Sequence, residues 1–420
     1  MRTLLSTLIV LGSALVASAE NWPQWRGPKN DGHSSETGLP VKWDEKNSVV
    51  WKIRLPGPGA STPCIWGESI FLTTQEGTDI VVHCITTDGK AKWSKKLGTS
   101  KGKPYRNDEG NDASASCSTD GKLVFAFVGS GEVAAYDFEG NKVWDLDSQK
   151  KYGEFNIQFG VHQTPVLYKG RLYLSLLHRK AQLLVALDAA TGKEIWQHKR
   201  QSDGRGESPD VYASPFIWEK GDQALLISHG NDYCTAHKLD NGDEVWRVGD
   251  LNPKAKYNNN WRAVSSPLVT PDLIVVPSCK NGVTVGIDPA KAKGLIVPGS
   301  PAELWRLPKN TPDVPSPLLV DDLLYIQGEG GVLYCYEAKT GKAVYSEKVT
   351  NMRHRANPVY ADGKIYLLGR DQSTVVVKPG REFEVLATNK LPDNFAASPA
   401  VSGGRVYLRG FENLWAIGAK

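Results

Sequence analysis

Methionine is almost missing from this chain, with two in 420 residues, and long runs of Ala, Glu, Lys and Leu are missing altogether. Both gaps argue against a helical bundle. Cysteine is sparse, with six residues at positions 64, 84, 117, 234, 279 and 335. No two are adjacent and none has Cys-x-x-Cys spacing, which removes the usual zinc, thioredoxin-like and covalent haem signatures. Scattered through apolar, strand-like contexts, they read mainly as small buried hydrophobes. In an oxidising compartment some could pair, and spacing does not supply the connectivity. Excess charge of one sign is also lacking, since 50 Lys and Arg face 46 Asp and Glu. A net charge of +4 gives no electrostatic case for nucleic acid or anionic membrane as the main partner. Beyond the amino terminus no apolar run is long enough to cross a bilayer, so no transmembrane segment is expected. Gly-x-Ser-x-Gly, His-Glu-x-x-His and a phosphate loop are absent, which leaves a hydrolase with little behind it.

What is present starts with a leader. Arg2 supplies a positive end, Leu4 to Val16 an apolar stretch, and Ala17-Ser18-Ala19 a small-residue cleavage pattern. The competing reading, a membrane anchor, needs ~20 apolar residues and the run falls short. No cysteine near the cleavage site supports lipid attachment. The expectation is a soluble periplasmic or secreted protein after cleavage near Ala19.

The rest of the chain repeats itself. Residues 186–196 read ALDAATGKEIW: alternating apolar residues, a Thr-Gly-Lys turn and a tryptophan. Related phrases end at Trp93, Trp144, Trp246, Trp305 and Tyr345, with a decayed copy at 380–384 and an orphan VVWKIRL around Trp51. A spacing of roughly 40–60 residues belongs to propellers and solenoids. The openings repeat as well: STPCI at 61, SASCS at 114, QTPVL at 163, ASPFI at 213, SSPLV at 265, PSPLL at 315, ANPVY at 356 and ASPAV at 397. Proline at a strand's first residue sacrifices no ladder bond, and Thr-Gly, Asn-Gly and Asp-Gly supply the positive φ of tight hairpins. Each unit therefore predicts four antiparallel strands, with no convincing helix between units.

Openings and closing strands number eight each but run out of phase. The chain starts with a lone closing strand at 47–55 and ends with three strands that lack one. A ring solves this, because the amino-terminal strand completes the last unit and leaves no bare edge. The fold class expected is all-β: an eight-bladed β-propeller of four-stranded antiparallel blades over 47–420, after a signal peptide at 1–19 and a strap at 20–46. Each tryptophan is expected to wedge neighbouring blades. The insertion at 291–303 is expected to be a surface loop.

The pattern Ala-Leu-Asp-x-x-Thr-Gly-Lys-x-x-Trp resembles the repeat of the PQQ-like β-propellers. That group includes quinoprotein dehydrogenases, which bind pyrroloquinoline quinone (PQQ), and the propeller of the outer-membrane-protein assembly factor. NWPQWRGP at 21–28 is similar to the start of exported bacterial members. The resemblance implies a fold and two functions. The enzymes typically carry two adjacent cysteines against the quinone, a calcium site and a catalytic aspartate, and adjacent cysteines are absent here. The assembly factor is typically a lipoprotein, and the lipid-attachment cysteine is absent too.

If strands run A to D outward from the axis, the D–A and B–C loops share one face, and these loops are the long and varied ones. Close to the axis they present His162, His178, Tyr212, His229, Trp261, Arg262, Lys280, His354, Arg370 and Arg409. Arginine forks, histidines and aromatic rings suit a small anionic or hydroxylated ligand; the bland alternative is a solvated rim. Irregular spacing across blades argues against a histidine metal site. The function expected is a non-catalytic exported scaffold that binds a protein or cell-envelope polymer through this face. The alternative is a PQQ-dependent oxidoreductase acting on an alcohol or sugar, with calcium polarising the quinone and Asp112 or Asp371 as the base.

Overall fold

The computed structural model describes residues 19–102, 110–328 and 330–419. The expected leader lies almost wholly outside these residues, as do residues 103–109. Eight antiparallel sheets are arranged as an eight-bladed β-propeller. Blade 3 is typical: Val166–Tyr168, Arg171–His178, Ala181–Asp188 and Glu194–Lys199 pair in that order. First strands of neighbouring blades touch each other, so they line the axis. The ring closes as the phase argument predicts. Val49–Arg54 pairs antiparallel with Asn413–Ile417, setting Lys52 opposite Trp415 and Ile53 opposite Leu414. The core lies between blades rather than within them. Phe125 of blade 2, for example, shares one cluster with Leu174 and Val185 of blade 3.

The repeated Gly and Trp belong to one joint, but they come from different blades. Trp144 on the last strand of blade 2 donates its indole N–H to Ala189 O in blade 3 at 2.9 Å. Gly192 of that blade-3 turn, with φ of +68°, lies so close that a Cβ there would sit 2.6 Å from the Trp144 ring. Positive φ and lack of space both demand glycine. Gly89 meets Trp51 in the same way, as do Gly140 and Trp93, Gly242 and Trp196, and Gly341 and Trp305. The Trp51 contact seals blade 8 to blade 1 beside the strand pairing, with Trp51 Nε1 bonded to Thr87 O at 2.9 Å. A bulge in each of these last strands skips the residue before the aromatic, which turns Val143, Ile195, Val245 and Leu304 outward into solvent.

Two features depart from the sequence expectation. The insertion is not simply a surface loop. Its residues Gly294–Ile296 form a fifth strand, parallel to Glu244–Val248 of blade 4. The regular blade-5 turn that would cover Trp246 is replaced by this segment, and Ile296 and Ala302 bury Trp246 to 2% exposure. A short helix, Ser148–Tyr152, also interrupts the connection from blade 2 to blade 3. Asp147 caps it by accepting Lys150 N–H at 3.0 Å.

Residues 20–34 bind along inner strands, and residues 39–43 cross blade 7 outward to Asn389 on its last strand. Trp22 exchanges backbone bonds with Ile65, Pro23 O accepts Thr119 N–H, and Ser402 Oγ donates to Glu20 O. His33–Ser34 adds a parallel strand inside blade 7. Buried Arg26 donates to Pro317 O at 2.8 Å, and desolvation lowers its pKa to about 10.

The Gly–Trp joint predicts a measurable coupling. Gly192→Ala is expected to cost about 1–3 kcal/mol, from overpacking and a strained φ. In a Trp144→Ala background the added cost is expected to shrink by at least ~1 kcal/mol. A double-mutant cycle of denaturant unfolding checks this, and simple additivity contradicts it.

Candidate functional site

The hydroxyl or amide residue that opens each blade has a common job. Thr62 N–H donates to Ser116 Oγ, Ser116 N–H to Thr164 Oγ1, Thr164 N–H to Ser214 Oγ and Ser214 N–H to Ser266 Oγ. The chain continues from Ser266 to Ser316, to Asn357, to Ser398 and back to Thr62. All eight bonds are between 2.6 and 3.2 Å. This closed girdle encircles the axis. In seven blades a proline follows the girdle residue. It holds that residue in the extended region, so its N–H points sideways to the next blade.

Above the girdle lies a cavity of about 520 Å³. Its walls include Thr62, Ser116, Thr164, Ser214, Asn357 and Ser398, and loops bring His162, Tyr212, Trp261, Arg262 and Lys280 to it. The strap hydrogen-bonds to residues that follow the girdle in the inner strands of blades 1, 2, 6, 7 and 8, and Trp25 reaches the cavity from that side against Phe216, 6.1 Å away. The Arg262 guanidinium lies over Phe159 at 4.8 Å and over Tyr212 at 6.0 Å, and it is paired with Glu207. Tyr212 OH accepts Phe159 N–H at 3.2 Å, and burial pushes its pKa up. His162 Nε2 bonds Phe159 O at 2.8 Å. Arg355 pairs with Asp313 at 3.1 Å, and both line the cavity with Arg353.

Five of the ten residues named from sequence therefore meet at one cavity. The other five do not line it. His178 is buried on the second strand of blade 3 against Phe155, and its Nδ1 accepts Asn156 N–H and Lys180 N–H. His229 faces a second, water-sized space of about 20 Å³ behind Arg262. His354 bonds Thr350 Oγ1 at 2.9 Å and is fully buried. Arg370 donates its backbone N–H to Arg353 O and is not among the residues that line the cavity. Arg409 is fully buried and crosses from blade 8 to blade 1, donating to Ser61 and to Thr73 O. Desolvation lowers its pKa to about 9. Sequence reasoning missed Trp25, Arg353, Arg355, Asp313 and the girdle hydroxyls as lining. The hydroxyls were visible in the repeat, but only as strand openings.

The sequence model of the outer membrane protein assembly factor BamB matches residues 33–175, 129–295 and 292–379. The chain belongs to the BamB family. A quinohemoprotein alcohol dehydrogenase of Comamonas testosteroni is 30% identical over 115 residues, 26% of this chain and 15% of that protein. The chain thus matches less than a sixth of that curated relative's length. Among solved structures, BamB from Moraxella catarrhalis superposes with a TM-score of 0.64 at 13% identity, covering 89% of this chain and 97% of that one. A europium-containing methanol dehydrogenase gives 0.72 at 11% identity, covering 95% and 98%. These structural likenesses establish the fold.

The quinoprotein branch of this likeness brings PQQ and calcium into question. Calcium takes six to eight oxygen ligands, with carboxylates among them. Asp313 is the one carboxylate among the described residues that line the cavity, and it is held by Arg355. Asp371 instead accepts from Ser373, and Asp112 does not line the cavity. No group of three His, Cys, Asp or Glu among the described residues is placed to hold a metal. Cys279 lines the cavity as a single buried thiol whose pKa is raised by burial. All six cysteines are unpaired and buried. The described donor set does not fit a calcium–quinone centre.

The buried histidines predict a pH dependence. Burial lowers the pKa of His178 to about 4, of His229 to about 3 and of His354 to about 4. Below pH ~6.5 the unfolded chain binds protons at these rings and the folded chain does not. Their contribution is therefore complete above that pH and is lost as pH falls towards 4, by up to ~1.4 kcal/mol per pH unit for each ring. Unfolding measured at pH 7, 6 and 5 is expected to show this slope, reduced in His354→Gln.

Proposed function

We propose that this chain is a non-catalytic, exported scaffold that holds a protein or cell-envelope polymer partner at the loop-rich face, with part of the partner entering the axial cavity. The observation that carries the reading is a single cavity walled by aromatic and cationic side chains from the loops of several blades. The cavity, of about 520 Å³, opens between the D–A and B–C loops, and Trp25 of the strap lines it. Trp261, Tyr212 and Arg262 are of the residue types that dominate binding energy at interfaces, and their positions are fixed by the girdle beneath them. Export is supported by the leader pattern at 1–19, and a protein-binding role by membership of the assembly-factor family.

A photo-cross-linking residue at Asn260, on the rim, tests this in intact cells. One discrete adduct is expected, lost on Trp261→Ala. The same probe at Val143, on the outer edge of blade 2, is expected to give none. Equal labelling from both positions contradicts the reading.

The local match to a quinohemoprotein alcohol dehydrogenase favours a second reading, a PQQ-dependent oxidoreductase acting on an alcohol or sugar. Titration of the purified protein with PQQ and calcium separates the two. Tight binding with dye reduction on adding an alcohol or sugar supports the enzyme, and absence of both supports the scaffold.

A further inference from the structure

We infer that the girdle hydroxyls facing the axial cavity form an oxyanion seat, which takes carboxylate or phosphate oxygens entering from the mouth. The inference rests on the cavity being the binding site. Five hydroxyls carry it: Thr62, Ser116, Thr164, Ser214 and Ser398 all line the cavity, and none is more than 6% exposed. Each oxygen already accepts a neighbouring blade's N–H. The hydroxyl therefore has its proton left to give, and accepting the N–H polarises the O–H into a better donor. None of the five donates to another described residue. Buried donors are rarely left unpaired. Five in the same state on one wall call for a group that only accepts.

Carboxylates and phosphates are such groups, and hydrogen bonds to them are stronger than neutral ones. A neutral sugar brings a donor with every hydroxyl acceptor and suits this wall less well. The charge around the cavity agrees. The five hydroxyls belong to blades 8, 1, 2, 3 and 4, while Arg262, Lys280, Arg353 and Arg355 come from loops of blades 4 to 7. Arg262 is paired with Glu207 and Arg355 with Asp313, the one carboxylate among the described lining residues, so the cavity lining keeps an excess of positive charge opposite the hydroxyl arc. The acidic oxygens have two sources, the side chains of a partner segment or a free organic acid.

Calorimetric titration of the mature chain with citrate, with glucose as the neutral control, tests the seat. One citrate per chain is expected, and no heat from glucose. Ser214→Ala and Thr164→Val are each expected to weaken citrate binding by about ten-fold or more, and Thr164→Ser to stay within about three-fold of the parent. Each deletion also removes an acceptor for a backbone N–H, so thermal melting is measured alongside. If the deletion variants do not fold, the parent and Thr164→Ser decide through citrate against glucose. Citrate binding no tighter than glucose overturns the inference, as does a folded Ser214→Ala that binds citrate like the parent; a wall that holds ordered water alone gives this result. Failure here with a persistent Asn260 adduct removes the seat and leaves the scaffold. Citrate that displaces the adduct assigns the anionic group to the partner, and citrate that binds beside it assigns a free ligand.

Discussion

Everything in this molecule hangs on a circle of eight backbone N–H groups, each given to a side chain of the next blade. Sheets of four strands cannot stand alone around an axis, because their inner edges would expose unpaired backbone. The girdle pairs one N–H at the start of each inner edge without extending any sheet, and the strap pairs further groups in several blades. At the outer radius the Trp–Gly joint does the equivalent work with apolar surface and one indole N–H. Polar bonding holds the inside of the ring and aromatic packing the outside, so blade orientation is set at two radii. The loops that form the mouth therefore spring from a frame with little freedom.

Much of this frame is legible in sequence because it repeats. The TGKEIW phrase announces its turn and its tryptophan, and the orphan VVWKIRL announces the closure that pairs Trp51 beside Ala416. What the phrase conceals is that Gly192 serves Trp144 and not Trp196. Linear proximity suggests one blade, and only the ring reveals two. The girdle is concealed in the same way, since Ser116 finds its donor and acceptor roughly 50 residues away on either side.

The site was partly legible for a related reason. His162, Tyr212, Trp261, Arg262 and Lys280 sit on loops, whose placement over the axis follows from strand order. His178, His229 and Arg409 sit at strand ends, where pleat alternation decides between the cavity and the joint with the next blade. Arg409 turns into the joint, and its guanidinium is consumed by backbone carbonyls. Trp25 could not be placed, because nothing in the strap's sequence says that it runs beneath the axis.

The seam between residues 49–54 and 413–417 carries a kinetic meaning as well as a geometric one. The segment that emerges first finds its partner only after the last segment has been made, and the strap likewise waits for blades 6, 7 and 8. Contacts so distant along the chain make for slow assembly, with loop-closure entropy spent before the reward arrives. Until then the open edges of blades 1 and 8 are sticky. A polypeptide built this way depends on those edges being shielded until the two ends meet.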